Sequence, residues 1–168
     1  MIHLVVMGVC GSGKSTLARA LRKATGFNFA EGDNFHPPAN KKKMASGIPL
    51  TDEDRWPWLE SLRNWMLNED IQGRSSIMAC SALKHSYRDA LIDPNLSAPV
   101  LFISLEGDPE LFRTRLEERT DHYMKANMLQ SQLDTFEPLD ASENYLRLNI
   151  ADSVETNVGR VLDAIQNS

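Results

Sequence analysis

An eight-residue segment near the N-terminus, Gly8–Ser15, restricts the fold of this chain more than any other feature. It reads Gly-Val-Cys-Gly-Ser-Gly-Lys-Ser and matches the pattern G-x-x-x-x-G-K-[ST] at every fixed position. The apolar run Ile2–Met7 precedes it, and a helical pattern with Leu17 and Leu21 on one face follows it. This order of strand, loop and helix predicts a phosphate-binding loop in an α/β domain.

The residue types in this loop suit the phosphates of a nucleotide. Glycines let successive backbone N–H groups point inward as an anion nest, and the following helix adds the positive end of its dipole. Lys14 can then reach the β- and γ-phosphates, the Ser15 hydroxyl can bind Mg²⁺, and Thr16 can approach the α-phosphate. The predicted ATP-binding residues here are Gly8, Gly11, Ser12, Gly13, Lys14, Ser15 and Thr16.

Strand and helix signals alternate along the 168 residues, which we interpret as one α/β domain, 1–168. The predicted strands are Ile2–Met7, Phe27–Ala30, Ser76–Cys80, Val100–Leu105 and Tyr145–Ile150. Alternation of this kind predicts parallel strands joined by helical crossovers in three layers. Ligands of such sheets bind at the carboxyl ends of the strands, so Gly8, Asp33 and Ser81 are expected at one edge.

Charge and thiol content narrow the partners that we expect. The chain carries 18 lysines and arginines against 23 aspartates and glutamates, a formal net charge of −5. Nucleic-acid-binding domains usually have a positive excess, so we expect no nucleic acid partner. No run approaches the roughly 18 apolar residues of a membrane span, and two cysteines do not make a disulfide framework. We therefore expect a cytoplasmic protein without a membrane partner.

Asp33 is the first candidate on the acceptor side of the phosphate loop. A carboxylate at this strand end can accept the proton of a hydroxyl that attacks the γ-phosphorus. It could instead hold Mg²⁺ through water, or cap the turn that begins at Asn34. Residue type and position leave these three roles open.

Basic side chains surround Asp33 in sequence, although the chain is acidic overall. They are His36, Lys41, Lys42, Lys43, Arg55, Lys84, His85 and Arg88. The Lys41–Lys43 run is at least partly a solvated surface, and Arg55 follows three acids with which it could pair. A pocket that contains Asp33, His36, Arg55 and Lys84 would nevertheless suit a small polyhydroxylated anion. The base would face a hydroxyl, and the cations would face a carboxylate and the phosphate.

Three blocks extend this pattern: G-D-N-F-H-P at Gly32–Pro37, K-M-A-S-G-I-P-L-T-D-E-D-R-W-P-W-L at Lys43–Leu59, and C-S-A-L-K at Cys80–Lys84 with Y-R-D at Tyr87–Asp89. Together they resemble the gluconokinase family, the ATP:gluconate 6-phosphotransferases of the shikimate-kinase and nucleoside-monophosphate-kinase group. The resemblance extends over nearly the whole chain, and the block at Lys43–Leu59 is much more specific than the phosphate loop.

The resemblance implies a three-layer P-loop kinase fold with five parallel strands in the order 2-3-1-4-5, a mobile lid and a homodimer. It also implies transfer of the ATP γ-phosphoryl group to the 6-hydroxyl of gluconate, with Mg²⁺. Asp33 would be the base or orienting group, in a substrate-binding segment at about 33–60. The gluconate-binding candidates are Asp33, His36, Arg55, Lys84, Arg88 and His122.

The family's lid corresponds to about residues 115–132. Arg115 and Arg119 lie four residues apart and share a helix face, where they could neutralise the phosphoryl group in transfer or stack on adenine. Pairing with acids on a solvated helix is the alternative. We assign Arg115 to ATP binding, and the predicted catalytic residues are Lys14, Asp33 and Arg119. The family usually reads Gly-His-Phe where this chain has Asp121–Tyr123, a departure that could alter lid closure.

Two other functions share the phosphate loop. One is a kinase of shikimate, a nucleoside monophosphate or another sugar acid, which the segment after Asp33 disfavours. The other is a nucleotide-binding regulator, which would need a partner surface. ATP turnover with and without acceptor is the discriminating measurement, since a regulator should be indifferent to gluconate.

Overall fold

The computed structural model describes residues 1–118 and 122–167, with residues 122–127 described by their backbone. Its centre is a parallel sheet in the order β2-β3-β1-β4-β5. The strands are β1 His3–Met7, β2 Asn28–Glu31, β3 Ser76–Ala79, β4 Val100–Glu106 and β5 Tyr145–Asn149. This confirms the predicted strand order and places every predicted strand to within one or two residues.

Helices cover both faces of the sheet. They are α1 Lys14–Thr25, α2 Pro38–Ala45, α3 Asp52–Ile71, α4 His85–Leu91, α5 Pro109–Glu117, α6 His122–Thr135 and α7 Val154–Gln166, with a short 3-10 helix at Gly32–Phe35. Alternate residues of β1 point to opposite faces. Leu4 packs in a core cluster with α1, α5, α6 and α7, whereas Val5 packs in a second cluster with α3 and α4. Two cores on one sheet produce the predicted three layers.

Local signals set most helix boundaries. Gly26 ends α1 with a φ of 75° and donates its N–H to the Arg22 carbonyl. Thr51 and Asp54 form a reciprocal capping box at the start of α3, and the Asp108 side chain caps α5. Because each cap satisfies backbone groups within a few residues, sequence alone predicts these boundaries.

Two helix starts differ from what the nearby residue types predict. Helix α6 begins at His122, whereas the polar stretch 120–127 predicts a start near Met128. Residues 122–127 contain neither glycine nor proline, so their polarity does not stop a helix. Helix α7 is capped by Ser153, whose hydroxyl accepts from the Thr156 N–H, and not by Asp152. Among the described residues, no helix is both long and apolar enough to cross a membrane.

A buried polar network closes the edge of the sheet opposite the phosphate loop. The fully buried His3 ring contacts Ser76 Oγ at 2.7 Å and Asp70 Oδ1 at 2.9 Å. Asp70 also accepts from the Ser97 N–H and hydroxyl and from the Ala98 N–H. Desolvation by burial would raise the pKa of Asp70, but these hydrogen bonds outweigh it and lower the pKa to about 2.

Asp70→Asn is expected to lower the free energy of unfolding at pH 7 by about 3 kcal/mol, because hydrogen bonds to a buried charged acceptor are lost. The low pKa of Asp70 stabilises the fold at pH values above about 3.9, the pKa of an aspartate in the unfolded chain. This stabilisation is lost as the pH falls towards 2. The free energy of unfolding of the variant should therefore fall less than that of wild type as the pH is lowered from about 4 towards 2. Denaturant titrations between pH 2 and 7 measure both effects, with exposed Asp163→Asn as the matched control. Equal losses in the two variants would contradict the prediction.

Candidate active site

The phosphate loop lies at the carboxyl end of β1, at the start of α1. Gly8, Gly11 and Gly13 have φ angles of 150°, 82° and 87°, a region that other residues rarely adopt. A Cβ at Gly8 would lie 2.8 Å from Ser12 Oγ, so substitution there would also collide with the loop itself. The backbone therefore has the left-handed turns that an anion nest requires.

Lys14 extends over this loop. Its Nζ donates to the carbonyl oxygens of Gly8 at 3.0 Å and Val9 at 3.2 Å. Desolvation lowers the pKa of Lys14, and the nearby Asp33 carboxylate partly opposes that shift. The lysine and the aspartate thus belong to one electrostatic site, as a site for phosphoryl transfer would need.

Ser15 has a carboxylate partner that the sequence analysis did not identify. Its Oγ donates to Glu31 Oε2 at 2.5 Å. Glu31 is the last residue of β2, two positions before Asp33. A serine hydroxyl beside a carboxylate supplies the hard oxygen ligands that Mg²⁺ prefers. Its place at a strand's carboxyl end was a signal that could have identified Glu31.

A cavity of about 460 Å³ opens beside the loop. Its lining includes Gly11, Ser12, Gly13, Thr16, Arg115, Ile150, Asp152 and Val154. Arg115 donates from Nη2 to the Ile150 carbonyl, which places its guanidinium between α5 and the loop after β5. The predicted ATP-binding residues Ser12, Thr16 and Arg115 therefore meet at one cavity, next to the phosphate loop.

A second, more enclosed cavity of about 150 Å³ joins the phosphate loop to the predicted acceptor residues. Its lining includes Cys10, Lys14, Asp33, His36, Arg55, Trp58, Ser81, Met128 and Gln132. The sequence analysis predicted Asp33, His36 and Arg55 for this pocket, and the fold brings all three to it. These residues come from the 3-10 helix and its end and from α3, elements that a sequence pattern does not place in contact.

Gly32 allows β2 to end close enough for this arrangement. A Cβ at Gly32 would lie 2.3 Å from the Ala79 carbonyl oxygen of β3, so a larger residue would push the strands apart. The Gly32 carbonyl in turn accepts from the indole N–H of Trp58 at 2.8 Å. The backbone that carries Asp33 is therefore held by both β3 and α3.

His36 is buried against α3. Its ring stacks on Trp58 with centroids 4.1 Å apart and planes 14° from parallel. Desolvation lowers the pKa of His36 to about 4, with Arg55 and Lys41 adding to the shift and Asp33 opposing it. The imidazole is therefore neutral at pH 7, and it enters the cavity as a hydrogen-bonding group without charge.

Arg55 and Lys84 meet at Tyr87. Arg55 Nη1 donates to the Leu50 carbonyl at 2.7 Å and to Tyr87 Oη at 3.0 Å. Lys84 Nζ donates to Asp52 Oδ1 at 3.3 Å and lies 5.5 Å from the Tyr87 ring centroid. Arg55 lines the acceptor cavity, whereas Lys84 lies behind it in this ion-pair cluster. Sequence analysis noted Tyr87 within a motif but assigned it no role.

Arg88 does not reach the acceptor cavity, contrary to the expectation from the sequence. Its side chain is 1% exposed, and Nε pairs with Glu143 Oε2 at 2.5 Å. Nη1 donates to the carbonyl of Ala82, which has a left-handed φ of 46°, and Nη2 donates to the Glu137 carbonyl. The guanidinium thus fastens the loop after β3 to the chain before β5. The motif was visible in the sequence, but the direction of the side chain was not.

Arg88→Met is expected to lower the free energy of unfolding by about 3–5 kcal/mol, because Glu143 would remain buried without the guanidinium, with only the His85 ring and the Asp140 N–H left as partners. The double variant Arg88→Met/Glu143→Leu should recover much of this loss. Arg55→Met should cost about 1–2 kcal/mol, since it removes two hydrogen bonds at the cavity edge. Denaturant titration distinguishes the variants. A larger loss in Arg55→Met than in Arg88→Met would contradict these roles.

Helix α6 also contacts the phosphate loop. Gln132 Oε1 accepts the backbone N–H of Cys10 at 2.6 Å, and Met128 lines the same cavity. The sequence analysis assigned no site role to Glu31. Arg119 lies outside the described residues, and so does the side chain of His122, although His122 begins α6.

Comparisons with known proteins agree with this fold. A family model described as an AAA domain matches residues 4–134. A gluconokinase of Gluconobacter oxydans is 42% identical over 146 residues, which cover 87% of this chain and 81% of the relative. A sugar kinase structure from a Janibacter species has a TM-score of 0.90 and 45% identity, covering 99% of this chain and 95% of that one. A gluconokinase structure from Sinorhizobium meliloti has a TM-score of 0.81 and 35% identity, covering 98% and 95%.

Proposed function

Because the chain belongs to the gluconokinase family, we propose that it transfers the γ-phosphoryl group of ATP to the 6-hydroxyl of D-gluconate. The observation that carries the proposal is the cavity that Lys14 shares with Asp33, His36 and Arg55. This cavity joins a phosphate-binding lysine to a carboxylate and a cation. These groups suit an acceptor with hydroxyls and a carboxylate.

ATP would bind with its phosphates on the Gly8–Ser15 backbone and its remaining part in the cavity beside Arg115. The Ser15 hydroxyl and the Glu31 carboxylate fit Mg²⁺, since both are oxygen ligands at the carboxyl edge of the sheet. When bound there with ATP, Mg²⁺ would neutralise charge that develops on the phosphates. Lys14 would complete that neutralisation from the protein side.

Gluconate would bind at the enclosed cavity. Its 6-oxygen forms the new bond to the γ-phosphorus, the bond to the β–γ bridging oxygen breaks, and ADP leaves. Asp33 orients the hydroxyl and accepts its proton. Arg55 would face the carboxylate end of the substrate. Lys84, in the ion-pair cluster behind the cavity, would add positive charge at a longer distance. His36 would contribute a neutral hydrogen bond.

The segment at about 115–132 is proposed to act as the lid of this single domain, with 33–60 as the substrate-binding segment. Arg115 and Gln132, near its two ends, both lie at the phosphate loop. Closure would exclude water, which would otherwise compete with gluconate for the phosphoryl group. Arg119 and His122 are assigned to phosphoryl transfer and gluconate binding through the family resemblance.

A homodimer is proposed on the family resemblance, and a cytoplasmic location on the two reduced cysteines, Cys10 and Cys80. Burial raises the pKa of the Cys80 thiol to about 12, which keeps it protonated and unreactive. Light scattering of the purified protein measures the oligomeric state directly. A mass of one chain across the working concentration range would exclude the dimer.

The reaction is tested by ADP formation with Mg-ATP and gluconate, idonate, shikimate, AMP, glycerate or no acceptor. We expect gluconate to produce a large increase over the rate without acceptor, and mass spectrometry to identify 6-phosphogluconate. If the protein binds ATP but its rate of ADP formation is the same with every acceptor as without one, the proposed kinase activity is excluded. That result would favour a nucleotide-binding regulator instead.

A further inference from the structure

Asn40 is a buried amide that none of the roles above requires. It lies in α2 and is 3% exposed. Its Nδ2 donates to the Asp54 backbone carbonyl at 2.8 Å and lies 3.2 Å from His36 Nδ1. A backbone carbonyl can only accept, so the Asp54 contact determines which end of the amide is the NH₂ group. The second N–H of that group points to the histidine.

This contact determines where the proton of His36 lies. Nδ1 faces an N–H donor, so in the neutral ring it must be the acceptor and the proton must be on Nε2. Stacking on Trp58 holds the plane of the ring. Nε2 has no hydrogen-bond partner within the part of the chain that the structure describes, and His36 lines the acceptor cavity.

We propose that Asn40 is a positioning residue that holds His36 as the Nε2–H tautomer, so that the ring donates a hydrogen bond to a hydroxyl oxygen of the acceptor. The tautomer follows from the protein alone. The identity of its partner as an acceptor hydroxyl rests on the proposed function.

The surrounding charges explain why a fixed neutral donor is useful here. Asp33 on the 3-10 helix, Lys41 on α2 and Arg55 on α3 are the charged groups that act on the ring. Asp33 can only accept hydrogen bonds while it is ionised. Arg55 can donate to a hydroxyl oxygen, but its positive charge also attracts anions. A neutral Nε2–H adds a hydrogen-bond donor without adding positive charge, so it can bind a hydroxyl oxygen without attracting anions as a cation would. Asp33, His36 and Arg55 would then contact different parts of the acceptor, which favours a molecule with several hydroxyls along its length.

The tautomer is measured by two-bond ¹H–¹⁵N correlation of the imidazole rings in the full-length protein at pH 7. The chain has four histidines, and the resonance that disappears in His36→Gln identifies His36. We expect wild-type His36 to be the Nε2–H form. In Asn40→Asp the carboxylate can only accept, so the ring should shift to the Nδ1–H form. Asn40→Leu removes the donor without adding charge and should give a mixture of tautomers.

The kinetic arm uses the same variants with gluconate. Asn40→Asp and Asn40→Leu should lower kcat/KM for gluconate by about 10-fold to 100-fold and leave the KM for ATP nearly unchanged. Exposed Asn95→Asp is the matched control and should match wild type. His36→Gln keeps a donor near the Nε2 position and should retain more activity than His36→Asn, which does not.

The two proposals fail in different ways. A wild-type His36 in the Nδ1–H form, or a folded Asn40→Leu variant with unchanged tautomer and kcat/KM, would overturn the role of Asn40. If Asn40→Asp does not fold, the Asn40→Leu and wild-type spectra still decide the question. Absence of gluconate turnover in wild type would remove the proposed substrate and leave the tautomer result intact.

Discussion

Asp33→Asn is expected to lower kcat for gluconate phosphorylation by about 10²–10⁴-fold, the range typical of lost proton transfer. The amide keeps the size of the carboxylate but cannot accept the proton of the attacking hydroxyl. The KM for ATP should change little, because we expect the phosphates to bind the loop amides and Lys14 and not Asp33. Steady-state kinetics at saturating and varied ATP separate the two quantities.

Asp163→Asn is the matched control for this experiment, since Asp163 is exposed on α7 far along the chain from the cavity. Gluconate turnover near the wild-type rate in Asp33→Asn would exclude Asp33 from the chemistry. Its remaining roles would then be the turn and an indirect contact with Mg²⁺, and the proton would leave through solvent.

Lys14→Ala is expected to lower kcat by about 10²–10³-fold whichever acceptor is the true one, because it would remove the proposed cation beside the charge that develops in phosphoryl transfer. ATP should still bind measurably, since the loop amides and the α1 dipole do not depend on the side chain. Calorimetric titration with ATP and a coupled ADP assay measure the two effects. Lys23→Ala, exposed in the last turn of α1, is the matched control.

The structure also allows a test that the Lys14 effect is electrostatic. Removing a desolvated cation should not greatly destabilise the fold, because its burial is itself costly. We therefore expect the free energy of unfolding of Lys14→Ala to stay within about 1–2 kcal/mol of wild type. Loss of activity together with a large loss of stability would indicate a structural role for Lys14 instead.

Sequence analysis predicted the site best where function depends on backbone conformation. The glycines of Gly8–Ser15 have the positive φ angles that the phosphate loop requires, and the pattern states this directly. Asp33 was found for a related reason: the carboxyl ends of parallel strands meet at one edge. Both inferences need only the order of strands and turns along the chain.

Sequence analysis was least reliable for the direction of long side chains. Arg88 and Arg55 belong to neighbouring blocks of the same resemblance and carry the same charge. One is buried against Glu143 behind the loop after β3, and the other lines the cavity. Glu31 was missed because its partner, Ser15, lies 16 residues away on another element. Asn40 was missed because the Asp54 carbonyl that orients its amide towards His36 lies 14 residues away on α3.

The sequence alone determined the α/β class, the phosphate loop, most helix boundaries and the family, because these depend on periodicity and on contacts within a few residues. The tertiary structure decided that Asp33, His36 and Arg55 share a cavity with Lys14, that Arg88 supports a loop, and which tautomer Asn40 imposes on His36. The physical reason is that burial and hydrogen-bond partners are set by elements that meet only when the sheet forms. A single chain's sequence records those elements but not the directions in which their side chains point.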